Sequence, residues 1–256
     1  MIKRIMYIHP VRVTDPLFRD ELLSFLRAEM DPDVEVEVTS LSRGPLHLRY
    51  RYYEALVLPD VLNRLKAAED RGFHASIIGC FFDVGLQEAR ELLHRLAVVG
   101  PCQASVQIAS TLCRRFSIIV GSGKGIPRIE ENLRAYGAHH LLASFRAVDL
   151  PVLELHQNRA DAVRRLREAG RAAVAQDGAE ALILGCTATF GYWRELQAEL
   201  GVPVIDPIIA SFKWAELAAG LSERYQWLPG RIGAYEPPPE SEMGAWGLLP
   251  ADDLEP

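Results

Sequence analysis

The sequence predicts an α/β fold of two pseudo-symmetric halves, each a mostly parallel sheet flanked by helices, with the active site in the cleft between them. Three observations carry this expectation. Short apolar runs alternate with amphipathic segments along the chain, the pattern of parallel strands joined by right-handed helical crossovers. The chain also repeats at a constant offset of 106 residues, the separation of Cys80 and Cys186. Finally, each of these cysteines closes an apolar run at a glycine, A-S-I-I-G-C at Ala75–Cys80 and A-L-I-L-G-C at Ala181–Cys186.

The repeat holds register well beyond the two cysteines. At the same offset Gly72 falls on Gly178 and Gly85 on Gly191, and Val98, Pro101, Ala104 and Ser105 fall on Val204, Pro207, Ala210 and Ser211. Reading apolar runs as strands gives Ile2–Ile8, Val34–Thr39, Ala75–Gly79 and Ala97–Val99, then Phe116–Val120, Leu141–Arg146, Ala181–Gly185 and Val204–Ile205. The amphipathic stretches between them read as helices around Leu17–Glu29, Glu54–Arg71, Gly85–Leu96, Ile126–Tyr136, Ala160–Gln176, Tyr192–Leu200 and Ile208–Arg224. The expected organisation is a first half of residues 1–100 completed by about 206–225, a second half of 101–205, and a Pro/Gly/acidic tail of 226–256. The tail reads as a loosely ordered arm that Trp227 and Trp246 could pin to the body.

Composition narrows the class. The net charge is −6, and the tail alone contributes −5 through Glu236, Glu240, Glu242, Asp252, Asp253 and Glu255 against Arg231, so the body is close to neutral. No basic stripe or polybasic patch suggests nucleic acid or a membrane surface. No apolar stretch is long enough to span a bilayer, and the start of the chain reads as a buried strand rather than a signal peptide. The expectation is a cytoplasmic protein. Its four cysteines show no metal-ligand spacing and are expected to be free thiols, Cys102 and Cys113 as packing residues.

Ligands of parallel α/β sheets bind beyond the carboxyl ends of the strands, where Cys80 and Cys186 are expected. A helix start next to each thiol would lower its pKa. Two thiols facing each other across a cleft suit removal of a proton from one face of a carbon acid and its return to the other, with no cofactor and no metal. Backbone N–H groups of the Phe81–Asp83 and Thr187–Thr189 turns are candidates to stabilise the carbanion. The alternative for a matched cysteine pair is simple core packing. Asp83 reads either as a site residue or as a cap for the helix near Gly85, and Asp206 as a cleft-lining or a solvated carboxylate.

G-C-F-F-D-V-G-L at Gly79–Leu86 and L-G-C-T-A at Leu184–Ala188 resemble the two cysteine motifs of the aspartate/glutamate/hydantoin racemase superfamily, most closely its hydantoin and allantoin racemase branch. I-E-E-N-L-R-A-Y-G at Ile129–Gly137 and G-V-P-V-I-D-P at Gly201–Pro207 resemble connecting segments of that branch. The resemblance runs from about Ile2 to Leu221. It implies Cys80 and Cys186 as the catalytic acid/base pair, Thr187 as a substrate contact and a homo-oligomer, and it argues against the related single-cysteine decarboxylases.

Two departures concern the substrate. The branch's N-terminal Asn-Pro-Asn is replaced here by His9-Pro10-Val11, and its Ile-Glu pair by Leu48-Arg49. An arginine donates to carboxylate or carbonyl oxygens where a glutamate accepts. His9, Arg49, Phe81, Asp83 and Thr187 are therefore the expected substrate-binding residues, Arg49 either receiving an anionic group or lying on a solvated face. The expected function is racemisation of a 5-substituted hydantoin or a related ring, with or without a carboxylate. The alternatives are a racemase of free acidic amino acids and a non-catalytic binding protein of the same fold.

Overall fold

The computed structural model describes residues 2–246. The last ten residues, with Asp252, Asp253 and Glu255 of the acidic tail, lie outside the described residues. The chain runs β1 (Lys3–His9), α1 (Pro16–Glu29), β2 (Val34–Ser40), α2 (Arg51–Asp70), β3 (Ala75–Ile78), α3 (Leu86–Leu92), β4 (Ala97–Val99) and α4 (Pro101–Leu112). It continues with β5 (Phe116–Val120), α5 (Ile126–Ala135), β6 (Leu142–Ala147), α6 (Val152–Gln157), α7 (Arg159–Asp177), β7 (Ala181–Leu184), α8 (Trp193–Leu200), β8 (Val204–Ile205), α9 (Pro207–Tyr225) and α10 (Glu240–Ala245).

Two four-stranded sheets result, in the orders β2-β1-β3-β4 and β6-β5-β7-β8. All their described ladders are parallel. The two orders are the same order, and β3 falls on β7 residue for residue at the 106-residue offset.

Side-chain alternation sorts each strand into two layers. Ile5, Tyr7 and Ile77 face a core shared by both sheets, which also contains Phe116, Ile183 and Phe212. Met6, Ile8 and Ile78 face an outer layer beneath α2, and Leu182 and Leu184 face the equivalent layer of the second sheet. In the middle, α4 packs against α9. Their buried faces carry small residues, Ala104, Ser105 and Ala109 on one and Ala210, Ser211 and Ala215 on the other, which allow close approach.

The sequence reading leaves Pro101–Leu112 unassigned, yet it is a helix. P-C-Q-A-S-V-Q-I-A-S-T-L carries no charged residue, and its polar stripe is only Gln103, Gln107, Ser110 and Thr111, opposite a buried face of small residues, so the amphipathic signal is easily passed over. Pro101 sits in its first turn, where a missing N–H is harmless. The short α6 also escapes the reading, and α3 stops at Leu92 rather than Leu96. The segment after Tyr225 is tied to the body differently than expected. Trp227 and Trp246 are exposed. The anchor is Arg231, which donates to the carbonyls of Arg90, Glu91 and Leu93 at the end of α3, helped by the Tyr235 hydroxyl on Gln87.

A buried carboxylate caps each central helix. Asp206 caps α9 from its own N-terminus, accepting from Ile208 N and Ile209 N with one oxygen and from Gly191 N, at 2.7 Å, with the other. In the first half the equivalent position is Gly100, and the carboxylate comes instead from Asp83, which accepts from Cys102 N at 2.9 Å and Gln103 N at 2.8 Å. A Cβ at Gly100 would lie 2.4 Å from the Asp83 carboxyl carbon. Asp83 thus caps α4, not the helix that follows it. Burial pushes both carboxyls up to about 6 against the pull of these N–H groups.

Replacing Asp206 with Ala orphans buried N–H groups in two elements. We expect roughly 2–4 kcal/mol of lost unfolding free energy by urea denaturation. A loss below about 0.5 kcal/mol, the scale of an ordinary surface change, would show that the cap is structurally idle.

Candidate active site

The strands carry their carboxyl ends to one place. His9 ends β1, Gly79-Cys80 follows β3, Gly121 follows β5 and Gly185-Cys186 follows β7, and all of them line one cavity of about 250 Å³. The expected site residues His9, Arg49, Phe81 and Thr187 line it too. Asp83 does not. Its oxygens are taken by the α4 N-terminus and by the Tyr136 hydroxyl at 2.8 Å, so it shapes the Cys80 loop from behind instead of meeting a ligand. Asp206, committed to its cap, likewise stays out of the lining.

Both thiols are half-buried and free. Their surroundings are related by the repeat: the backbone N–H two residues on, Phe82 for Cys80 and Ala188 for Cys186, favours each thiolate. That help is outweighed. Burial pushes the Cys186 thiol up to about 11, and raises Cys80 further, where Glu54, Cys186 and Asp83 add negative charge. The lowered pKa expected from a helix start is absent for a geometric reason. Cys80 is followed by a turn, with α3 starting only at Leu86, and Cys186 by the 3₁₀ turn Thr187–Thr189, so neither sulfur sits at an α-helix N-terminus. Of the two, Cys186 ionises more readily.

Thr187 bridges the halves. Its hydroxyl donates to the Gly79 carbonyl at 3.2 Å, so each cysteine loop touches the other half beside its sulfur. The Cys80 loop is also held from the second half by α5. Asn132 donates through Nδ2 to the Phe82 carbonyl at 2.9 Å and accepts from Arg128, which reaches on to Glu54 of α2. Asn132 and Tyr136 lie four apart, on one face of α5 and its C-cap. The sequence reading noted their segment without assigning either residue a task; the spacing was the available signal.

His9 is buried, with its Nε2 unpartnered and its ring 5.0 Å from Tyr7 and 5.6 Å from Phe18. Burial lowers its pKa to about 4, so it is a neutral imidazole at neutral pH. Arg49 lines the mouth of the cavity, and so does Arg12, a residue the sequence reading passed over. The two loops that carry them are stitched by Arg12 N donating to the Pro45 carbonyl at 3.0 Å. Among the described residues neither guanidinium has an ion-pair partner, whereas neighbouring Arg51 is paired with Glu131 at 2.6 Å and points away. Much of the remaining lining is apolar, with Phe18, Phe82, Leu48, Ile129 and Leu150, and Asp15, His47, His156 and Gln157 add polar groups to it. Gly121, Ser122 and Gly125, between β5 and α5, form one wall, while Cys102 and Cys113 take no part.

The chain as a whole is similar to known proteins. The chain is 42% identical to hydantoin racemase of Rhizobium meliloti over 167 residues, 65% of this chain and 69% of that protein. It is 32% identical to hydantoin racemase of Pseudomonas sp. strain NS671 over 210 residues, 82% of each chain. Allantoin racemase from Klebsiella pneumoniae superposes with a TM-score of 0.85 at 30% identity, covering 93% of this chain and 94% of that one. The sequence model of the family described as Asp/Glu/Hydantoin racemase matches residues 18–215, a span that includes both cysteines and strands of both sheets. By that match, and by relatives that share the fold across nearly its whole length, the chain belongs to the Asp/Glu/hydantoin racemase family.

Proposed function

We propose that this protein is a cofactor-independent racemase that inverts a carbon acid beside a carbonyl, using Cys80 and Cys186 as its two acid/base groups. The observation that carries the reading is the pair of half-buried thiols following equivalent strands and lining one cavity. In the forward direction the Cys186 thiolate takes the α-proton and becomes a thiol, leaving a planar carbanion delocalised into the carbonyl. The Cys80 thiol then returns a proton to the opposite face and becomes the thiolate. Turnover the other way exchanges the two roles. Backbone N–H groups of the two cysteine turns are suited to the developing oxyanion.

The substrate we infer is a 5-substituted hydantoin or related ring bearing a carboxylate. Hydantoin-processing relatives support the ring. The unpaired guanidiniums of Arg12 and Arg49 at the mouth support the anion, because such groups bind carboxylates bidentately. Neutral His9, a lining residue with an unpartnered ring nitrogen, is suited to a ring N–H or carbonyl.

Incubation in D₂O with 5-substituted hydantoins, allantoin, aspartate and glutamate tests the reading, since a true substrate acquires deuterium at its stereocentre. Exchange into aspartate or glutamate alone would move the substrate to free acidic amino acids, and exchange into none would remove the racemase reading.

Changing either Cys80 or Cys186 to Ser should lower the racemisation rate by at least about 100-fold, the scale of a lost general base, while thermal unfolding stays within a few degrees of the parent. Because the more acidic sulfur titrates near 11, its thiolate fraction grows with pH throughout the neutral range. The rate constant at low substrate should accordingly climb about tenfold per pH unit between about pH 6 and 8, and a flat profile there would rule out a rate-limiting thiolate of this kind. Arg49→Ala should weaken turnover of a carboxylate-bearing hydantoin by about tenfold or more while sparing a 5-isobutyl hydantoin; unchanged turnover of both would return Arg49 to a merely solvated role.

A further inference from the structure

We propose that the hydroxyl of Tyr7 is a buried hydrogen-bond donor to the sulfur pair, a positioning residue that stabilises whichever of Cys80 and Cys186 is ionised. The proposal rests on the reading of those sulfurs as acid and base.

Tyr7 sits near the end of the central strand β1, facing the core shared by both sheets. Its ring passes beneath Gly79, the residue before Cys80, where a Cβ would lie only 2.4 Å from Cε1, Cζ and Oη. Gly79 cannot move aside, because its N–H donates to the Ile8 carbonyl at 2.8 Å. A glycine at that point therefore makes room for the phenol. From the second half the Thr187 side chain arrives at the same spot and gives its proton to the Gly79 carbonyl. The hydroxyl of Tyr7 lies beside it, wholly buried, with the Thr187 side chain as its hydrogen-bonding neighbour, although among the described residues no contact of the hydroxyl has full hydrogen-bond geometry.

An unpartnered buried hydroxyl destabilises the fold, and phenylalanine would fill this space without that penalty. The hydroxyl therefore fits a partner present in another state of the site. Every titratable group facing it narrows the choice. Asp206 is taken up by the N–H groups of Gly191, Ile208 and Ile209, and His9 meets the ring edge-on as a neutral imidazole. The remaining groups are the two sulfurs. Burial first, then charge at Cys80, with smaller contributions from Cys186 and Asp206, drives the phenol pKa upward, so the hydroxyl keeps its proton and acts only as a donor toward an anion. A phenol that keeps its proton adds no negative charge beside the sulfurs, and its O–H favours a thiolate by donating to it.

Tyr7→Phe tests this without needing the substrate. Iodoacetamide alkylation is followed against pH, with Cys80 and Cys186 read separately by peptide mass spectrometry. We expect the profile of the first sulfur to ionise to move to higher pH by about one unit, and its alkylation at pH 8 to slow about tenfold, with a melting temperature equal to or above the parent's. Unchanged alkylation profiles would overturn the proposal, as would a lower melting temperature with unchanged profiles, which would make Tyr7 purely structural. With a substrate in hand, kcat should fall while KM holds. A shifted profile in a protein that exchanges no tested substrate would sustain the tuning role while counting against the racemase reading, so the two are separable.

Discussion

The close packing of α4 on α9 determines where everything else in the site can stand. These helices are copies of one another at the 106-residue offset, and their small buried residues bring their axes together at the centre of the molecule. Each helix follows the edge strand of its own sheet, β4 or β8, and each sheet carries its cysteine on the neighbouring strand. Approach of the helices therefore sets how far apart the thiols are. Larger residues at Ala104 or Ala210 would wedge the sheets apart, and a mechanism that handles one carbon from two sides tolerates little such error.

Within that frame the electrostatics are asymmetric although the backbone is not. Both sulfurs are raised by burial and both are relieved by the N–H two residues on, but only Cys80 has the carboxylates Glu54 and Asp83 nearby. The resting proton therefore belongs on Cys80 and the first ionisation on Cys186. Burial raises both sulfurs, and donors aimed at them work against that. Arg12 and Arg49 stand at the mouth, where they can neutralise a ligand's charge without placing a cation beside either sulfur.

The strands were legible because they are short apolar runs that end at turn glycines, and the repeat located both cysteines at equivalent ends. The long-range part was not legible. The α4 segment has no charged residue, and its faint polar stripe, Gln103, Gln107, Ser110 and Thr111, faces a side of small residues that gives little hydrophobic contrast, although its alignment with Pro207 onward held the answer. Asp83 reads in sequence as a substrate contact or as a cap of the nearest helix, as local capping rules suggest, but its carboxylate reaches across to a helix 18 residues later because Gly100 leaves the space open. Tyr7 looks like any aromatic strand residue in sequence; only the fold shows that its hydroxyl emerges under Gly79. The thiol pKa was misjudged for a related reason: sequence shows that a turn follows, but not that the turn delays the helix beyond reach.

The exchanged carboxylates have a consequence for how two such halves can diverge. In one half the acid stands at the helix start and reaches back to the cysteine loop, and in the other it stands in the loop and reaches forward to a glycine. Converting either arrangement into the other takes two substitutions. Adding the second acid first would crowd two carboxylates into one buried space, and removing the first would leave a helix uncapped. Each half is thus held at its own solution by an epistatic barrier, and transplanting a cysteine loop from one half to the other would fail unless its helix start travelled with it.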